Sequence, residues 1–261
     1  MPHIDNNDIS IILTVYNKQE IIGRVFTGII NNISKNVREI IIVLDGCNDN
    51  SFNEINKIKL EKNVNIEFLY TPNINETLAN NCGLRKSSGE YSIIVQDDCE
   101  ILEKDFDKRL LKPFLKFENV LAVSGRDSED ICFVNGQIKH YNMAGADVNT
   151  PRNIFAVRDS INRGPLMIKN EKMEKLNYFD EIFSPLWGDD IDLSLRAYKN
   201  FNFIVGSYRI KFYSPLEWGA TRNIGGRKIF SISNLKNKKI LFERYKDYLE
   251  NTSKHSRDII L

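Results

Sequence analysis

The sequence predicts an α/β fold in which a mainly parallel sheet is flanked by helices. Three observations carry that expectation. Apolar, β-branched runs recur at 9–15, 39–44, 65–70 and 91–95. Segments with helical spacing lie between them. The runs stop at polar or acidic residues, among them Thr14, Asp45, Asp97 and Asp98, and strand–helix alternation brings such strand ends to one crevice.

The first run, 9–15, reads as a buried strand. Asn17, with Glu20 three positions on, reads as an N-cap and its reciprocal partner. Ile21, Ile22, Val25, Phe26, Ile29 and Ile30 then recur at helical spacing. The second strand ends in the turn-forming Asp45-Gly46-Cys47-Asn48-Asp49. A charged helical stretch leads to the third strand. The segment 77–87 reads as a helix closed by Ser88-Gly89, and 91–95 as the fourth strand.

The second half is less regular. A strand is expected at 121–124. The polar segment 127–163 is expected to be an irregular loop over the site. Order resumes at Gly164-Pro165-Leu166-Met167-Ile168, followed by a short helix at 171–176. A helix at 189–200 carries Leu193 and Ala197 on one side, and strands are expected at 203–207 and 209–213. From Gly225 onward the tail holds nine Lys/Arg against four Asp/Glu, with Ile229, Phe230, Ile240, Leu241, Phe242, Tyr245 and Tyr248 interspersed. It reads as a helix packed on the domain with a solvated basic face. The competing reading is peripheral contact with an anionic membrane. The domain plan is thus 1–224 as one α/β domain, in halves of about 1–100 and 101–224, and 225–261 as a basic helical extension.

Composition removes several classes of function. A net charge of +1 leaves no global footprint for nucleic acid. Cys47, Cys82, Cys99 and Cys132 lack C-x-x-C spacing and are expected to be reduced, as in a cytoplasmic protein. No signal-peptide pattern and no membrane-length apolar run is visible. Neither a dinucleotide fingerprint nor a P-loop is present. No Ser or Cys nucleophile motif appears, and His3, His140 and His255 lie in plain contexts; His140 reads as an acid/base residue or, in preference, as a surface-loop histidine.

Two acidic clusters stand out. Gln96-Asp97-Asp98 ends the fourth strand. It reads either as a solvated turn or as a site where hard cations such as Mg²⁺ or Mn²⁺ meet substrate phosphates. Trp187-Gly188-Asp189-Asp190-Ile191-Asp192 opens a helix. Its carboxylates either complement the helix dipole or, by crowding one another, tune a general base. Asp45 is a turn residue or an acceptor for a base N–H or ribose hydroxyl.

At this point the residues resemble a known family. Ser10-Ile11-Ile12-Leu13-Thr14-Val15-Tyr16-Asn17, the turn Asp45-Gly46-Cys47-Asn48-Asp49-Asn50-Ser51, Ala79-Asn80-Asn81-Cys82-Gly83-Leu84 with Ser88-Gly89-Glu90-Tyr91, Phe179-Asp180-Glu181, and Trp187 to Arg196 follow one another as in family 2 glycosyltransferases of the GT-A fold. Asn237-Lys238-Lys239 in the tail belongs to the same likeness, which covers roughly residues 9 to 245. The resemblance implies a Rossmann-like nucleotide-sugar half and an acceptor-side half. It implies that Thr14, Tyr16, Asp45, Asn81 and Asp97 contact the nucleotide sugar and that Asp98 is the direct ligand of a divalent metal. Asp190 would be the general base, Asp189 would orient the acceptor, and Trp187 would be a platform for a sugar ring. The implied reaction is inverting transfer from a nucleoside diphosphate sugar, a UDP-sugar foremost, to a glycan, lipid-linked or protein acceptor.

The chain departs from the family pattern in four places. Gln96 stands where an acid is usual, so the metal would rest on Asp98 and the diphosphate. Asp189-Asp190 replaces Glu-Asp. Asn80 replaces an arginine. Where relatives carry a late histidine the chain reads Tyr213-Ser214-Pro215-Leu216-Glu217, which offers Glu217 as a substitute ligand. Two alternatives follow: a non-catalytic carbohydrate-binding module on the same scaffold, and, well below it, a sugar nucleotidyltransferase. The latter would carry a Gly-rich basic loop where Asn17-Lys18-Gln19-Glu20 stands.

Overall fold

The computed structural model describes residues 8–58, 64–219, 224–251 and 255–261. Its first half runs β1 (Ile9–Val15), α1 (Ile22–Asn32), β2 (Val37–Asp45), α2 (Ser51–Asn56), β3 (Asn65–Thr71), α3 (Glu76–Lys86) and β4 (Tyr91–Gln96). There follow β5 (Glu100–Ile101), α4 (Phe106–Lys116), β6 (Val120–Ser124), β7 (Asp127–Val134), β8 (Gln137–Gly145), β9 (Ile154–Val157) and β10 (Ser160–Ile161). The remainder is β11 (Leu166–Lys169), α5 (Asn170–Lys175), α6 (Asp189–Phe201), β12 (Ile204–Ser207), β13 (Phe212–Tyr213), α7 (Ile224–Asn251) and β14 (Arg257–Ile260).

Nine strands form one sheet in the order β14-β9-β12-β6-β11-β4-β1-β2-β3. β1 pairs in parallel with β2 and β4, and β2 with β3, as the alternating pattern predicts. β11 is inserted antiparallel between β4 and β6. The central strands are buried on both faces, which is why β1, β2 and β4 read as unbroken apolar runs rather than as alternation. Helix α1 covers them with Ile22, Val25, Phe26, Ile29 and Ile30, all buried.

The structure corrects the expected helix start. Helix α1 begins at Ile22 without a side-chain cap. Asn17 instead takes a left-handed backbone, φ 49°, and its Oδ1 accepts the Asn48 N–H at 2.9 Å. It ties the end of β1 to the turn after β2.

The segment 127–163 is not an irregular loop. β7 and β8 form an antiparallel hairpin, closed by Asn135-Gly136 with both residues at positive φ, 51° and 73°. That is the turn an Asn-Gly pair favours between two strands. β10 pairs with β7 in the same three-stranded sheet. The last strand expected before the tail shrinks to Phe212–Tyr213.

The tail is not helical throughout. β14 adds to the sheet edge by antiparallel pairing with β9. Helix α7 packs on the domain. Leu241 and Tyr245 are buried in a second apolar cluster with Ile131, Ile138, Phe183, Ile191 and Leu195. Phe242 meets Phe133 edge-on at 5.2 Å. The side chains of Ile229 and Phe230, and all of His3, lie outside the described residues. Among the described residues no helix is long and apolar enough to cross a membrane.

Candidate functional site

Helix α3 begins where the carboxyl ends of β1, β2 and β4 converge, and its first turns supply residues to both sides of the resulting crevice. Thr14, Tyr16, Asp45, Glu76, Asn80, Gln96, Asp97 and Asp98 line a cleft of ≈ 290 Å³ together with Asn73, Asn75, Pro185 and Leu186. A second cleft of ≈ 370 Å³ is lined by Trp187, Asp189, Asp190, Arg163, Arg126, Glu129 and His140. Glu76, Gln96 and Leu186 line both, so they form the wall between them.

In the first cleft Asp97 Oδ2 accepts the Tyr16 N–H at 2.9 Å, and Lys18 Nζ lies 3.7 Å from its Oδ1. Burial pushes the Asp97 carboxyl up to about 7; Asp98 and Glu76 push the same way, against Lys18 and the Tyr16 N–H. Asp98 has no hydrogen bond or ion pair among the described residues and is half-buried, so its oxygens are open to a ligand. Asp45 is almost wholly buried. Its Oδ1 accepts from the Thr71 hydroxyl at 2.8 Å and the Ile74 N–H at 2.7 Å, and its Oδ2 from the Asn75 N–H at 2.9 Å. Asp45 therefore fixes the loop that brings Asn73 and Asn75 to the cleft. Thr14 donates its hydroxyl to Asn80 Oδ1 at 2.7 Å.

The second cleft centres on the start of α6. Asp189 accepts from the Thr77 hydroxyl at 2.8 Å, from Arg163 at 2.9 Å and from the Asp190 N–H at 3.1 Å. Asp190 Oδ1 lies 3.0 Å from Arg163 Nε, and Glu76 lies 3.8 Å from Arg163 Nη1. Burial pushes Asp190 up to about 8; Asp189 and Glu76 add to the rise, and Arg163 opposes it. Burial pulls at the Arg163 proton, but the three carboxylates outweigh it and hold the guanidinium charged. Asp189 is saturated with partners, whereas Asp190 keeps an oxygen for an incoming group.

Helix α7 holds this region in place. Asn237 donates to the carbonyls of Phe183, Leu186 and Trp187 at 2.9, 3.1 and 2.7 Å. Trp187 itself has φ 75°, lines the second cleft, and carries Lys238 Nζ at 5.7 Å over its ring. Asp192 is fully buried and accepts from Arg196, Arg244 and Tyr245 at 2.6, 2.9 and 2.7 Å. It is an anchor of the fold.

Two expected site residues are elsewhere. Asn81 is fully buried on the far side of α3, where it donates to the Phe179 carbonyl at 2.9 Å and Glu181 at 3.1 Å and accepts the Phe179 N–H at 3.1 Å. It lines neither cleft. Glu217 is exposed and lines a separate depression with Lys18, Gln19, Asp49 and Trp218, so it does not join Asp98. His140 sits in strand β8 rather than in a loop, lines the second cleft, and has Nδ1 2.8 Å from Glu129. Sequence reasoning missed Arg163 and Glu76, because a lone arginine in a polar segment and an acid in a first helical turn carry no motif.

The model for the family described as "Glycosyl transferase family 2" matches residues 10–173. The chain belongs to glycosyltransferase family 2. This family 2 chain is 31% identical over 118 residues to "Glycosyltransferase GlyA" of Streptococcus pneumoniae serotype 4, covering 45% of the chain and 16% of that protein. It is 32% identical over 103 residues to an "Uncharacterized glycosyltransferase" of Haemophilus influenzae, covering 39% of the chain and 40% of that protein. The chain thus spans less than half the length of either relative. Among solved structures, TarS 1-349 of S. aureus aligns with TM-score 0.57 and 14% identity over 94% of this chain and 71% of that one. GalNAc-T7, solved with UDP, GalNAc and Mn²⁺, aligns with TM-score 0.61 and 14% identity over 79% of this chain and 44% of that one. At such identities the likeness is one of fold, and the GT-A fold implied by the sequence motifs is the fold present.

Proposed function

We propose that the family 2 chain is an inverting glycosyltransferase that moves a sugar from a nucleoside diphosphate sugar, a UDP-sugar foremost, to an acceptor hydroxyl. The observation that carries the reading is the pair of clefts meeting at Glu76, Gln96 and Leu186, with Asp97 and Asp98 on one side and Asp190 on the other. TarS in complex with UDP and with UDP-GlcNAc, similar in fold, supports the choice of donor class.

The first cleft suits a divalent cation better than a bare diphosphate. Its lining includes Asp45, Glu76, Asp97 and Asp98 but no Lys, Arg or His among the described residues. Asp98 has open oxygens there, while no cluster of three His, Cys, Asp or Glu among the described residues makes an all-protein cage. Mn²⁺ or Mg²⁺ commonly rests on one or two carboxylates plus substrate phosphates. Asp98 would hold it, with Asp97 alongside, and a bound cation would supply neutralisation of the charge on the departing diphosphate.

The chain's own residues do the rest. Thr14, Tyr16 and the Asp45-ordered loop hold the nucleotide. The acceptor, a glycan, lipid-linked saccharide or protein hydroxyl, enters the second cleft beside Trp187, whose ring face suits a sugar. Asp190 takes the hydroxyl proton as the acceptor oxygen bonds to the anomeric carbon. The bond from that carbon to the diphosphate oxygen breaks, and its electron pair leaves with the diphosphate. Asp189, held by Thr77 and Arg163, keeps the start of α6 in register. UDP release from UDP-sugars, measured with Mn²⁺ and then with EDTA, tests the reading. EDTA-sensitive release is expected. No release from any UDP-sugar would return the chain to the binding-module alternative.

A further inference from the structure

Arg163 gathers the carboxyl groups of Glu76, Asp189 and Asp190, at 3.8, 2.9 and 3.0 Å, where the clefts meet. A sugar passed from one cleft to the other must present its anomeric carbon there. The wall residues Glu76 and Gln96 are therefore its neighbours. Gln96 Nε2 donates to Glu76 Oε1 at 3.2 Å, and the second Glu76 oxygen has no partner among the described residues. Gly164, at φ +114°, is what lets Gln96 lie there: a Cβ would come within 2.6 Å of Gln96 Oε1. An acid from α3 thus lies against Gln96.

A second, independent observation points to a ligand at this place. Asn80 lies one helical turn after Glu76 on the same face of α3, is 1% exposed and lines the first cleft. Its Oδ1 is taken by Thr14, but its buried Nδ2 has no hydrogen-bond partner among the described residues. Buried amide N–H groups are costly to leave unpaired. An acceptor oxygen on Glu76 beside a free donor on Asn80 matches a hydroxyl-bearing ligand, since a hydroxyl both gives and accepts.

We infer that Glu76 and Asn80 select the transferred sugar, Glu76 accepting one of its hydroxyls, and that the sugar is neutral: uronic acid donors are rejected by charge. The inference rests on the nucleotide-sugar reading of the first cleft. A sugar carboxylate would add a negative charge to a site where, even with Asp190 protonated, Glu76 and Asp189 already share the one Arg163 guanidinium. A like charge about 5 Å away, at an effective dielectric near 20, disfavours binding on the order of a hundredfold.

The test is binding of UDP, UDP-glucose, UDP-glucuronic acid, UDP-galactose and UDP-galacturonic acid to the wild-type protein and to Glu76→Gln, by calorimetry with Mn²⁺. UDP is expected to bind both proteins alike. Wild type is expected to prefer each neutral sugar over its uronate by about 30-fold or more, and Glu76→Gln to cut the preference below about 5-fold, as loss of a nearby charge requires. Equal wild-type affinity for sugar and uronate overturns the inference even if the variant does not fold. A preference unchanged in folded Glu76→Gln overturns the role of Glu76. Failure of UDP itself to bind wild type is a different result, and sinks the nucleotide-sugar reading beneath both.

Discussion

Raising the pH from 7 to 9 is expected to speed transfer about ninefold. Asp190 must be ionised to take the acceptor proton, and its carboxyl is held up at about 8, first by burial and then by Asp189 and Glu76. With that value, about one tenth of the molecules carry the ionised base at pH 7 and about nine tenths at pH 9, so a rate proportional to the base form rises in that ratio. The sign follows from the direction of the shift: a base raised above its ordinary value loses activity as the pH falls. An ordinary carboxylate near 4 would give a flat profile over the same range. Asp97, pushed up to about 7, adds a second ionisation on the donor side, so the limb should steepen below pH 7. The assay is initial UDP release at sub-saturating donor from pH 6 to 9.5 at constant ionic strength, with circular dichroism to confirm folding at each pH. Asp189→Asn removes a charge that raises Asp190, and should move the limb to lower pH. A profile flat between pH 6 and 9 would refute the assignment of Asp190 as a buried, raised base.

Two further outcomes follow from the same contacts. Asp98→Ala should abolish the part of donor affinity that Mn²⁺ confers while leaving the metal-free affinity unchanged, read by calorimetry with and without EDTA; equal losses in both would remove Asp98 from the metal. Asn237→Ala leaves the carbonyls of Phe183, Leu186 and Trp187 without their donor. It should lower folding stability by about 1–3 kcal/mol in urea denaturation, the usual penalty for buried unsatisfied groups, and no change would make the α7 anchor ornamental.

The parallel half of the fold was legible because β1, β2 and β4 are buried on both faces, and such strands must be written as apolar runs. The β7–β8 hairpin was not, because its exposed positions carry polar residues that look like loop. Asp97, Asp98 and Asp190 were legible as acids at element ends, where topology alone brings them to a crevice. Arg163 was not, because nothing local marks it: its role arises only when the segment after β10 meets the starts of α6 and of the distant α3. Asn81 and Asn80 show the reverse error. The two are adjacent in sequence but leave α3 on different faces. The resemblance pointed to Asn81, yet Asn80 is the one facing the cleft. Asn17 met the composition rule for an N-cap, but its side chain serves the Asp45 turn instead.

The proposed reaction needs the donor in one cleft and Asp190, across the wall from it, as the base. Asp190→Asn separates the two most directly, because it keeps the shape of the side chain and removes only its capacity to take a proton. Donor affinity by calorimetry should stay within about threefold of wild type, while transfer falls by about 10²–10⁴-fold, the usual range for loss of a general base. Turnover retained within a few-fold, with donor binding intact, would contradict the account.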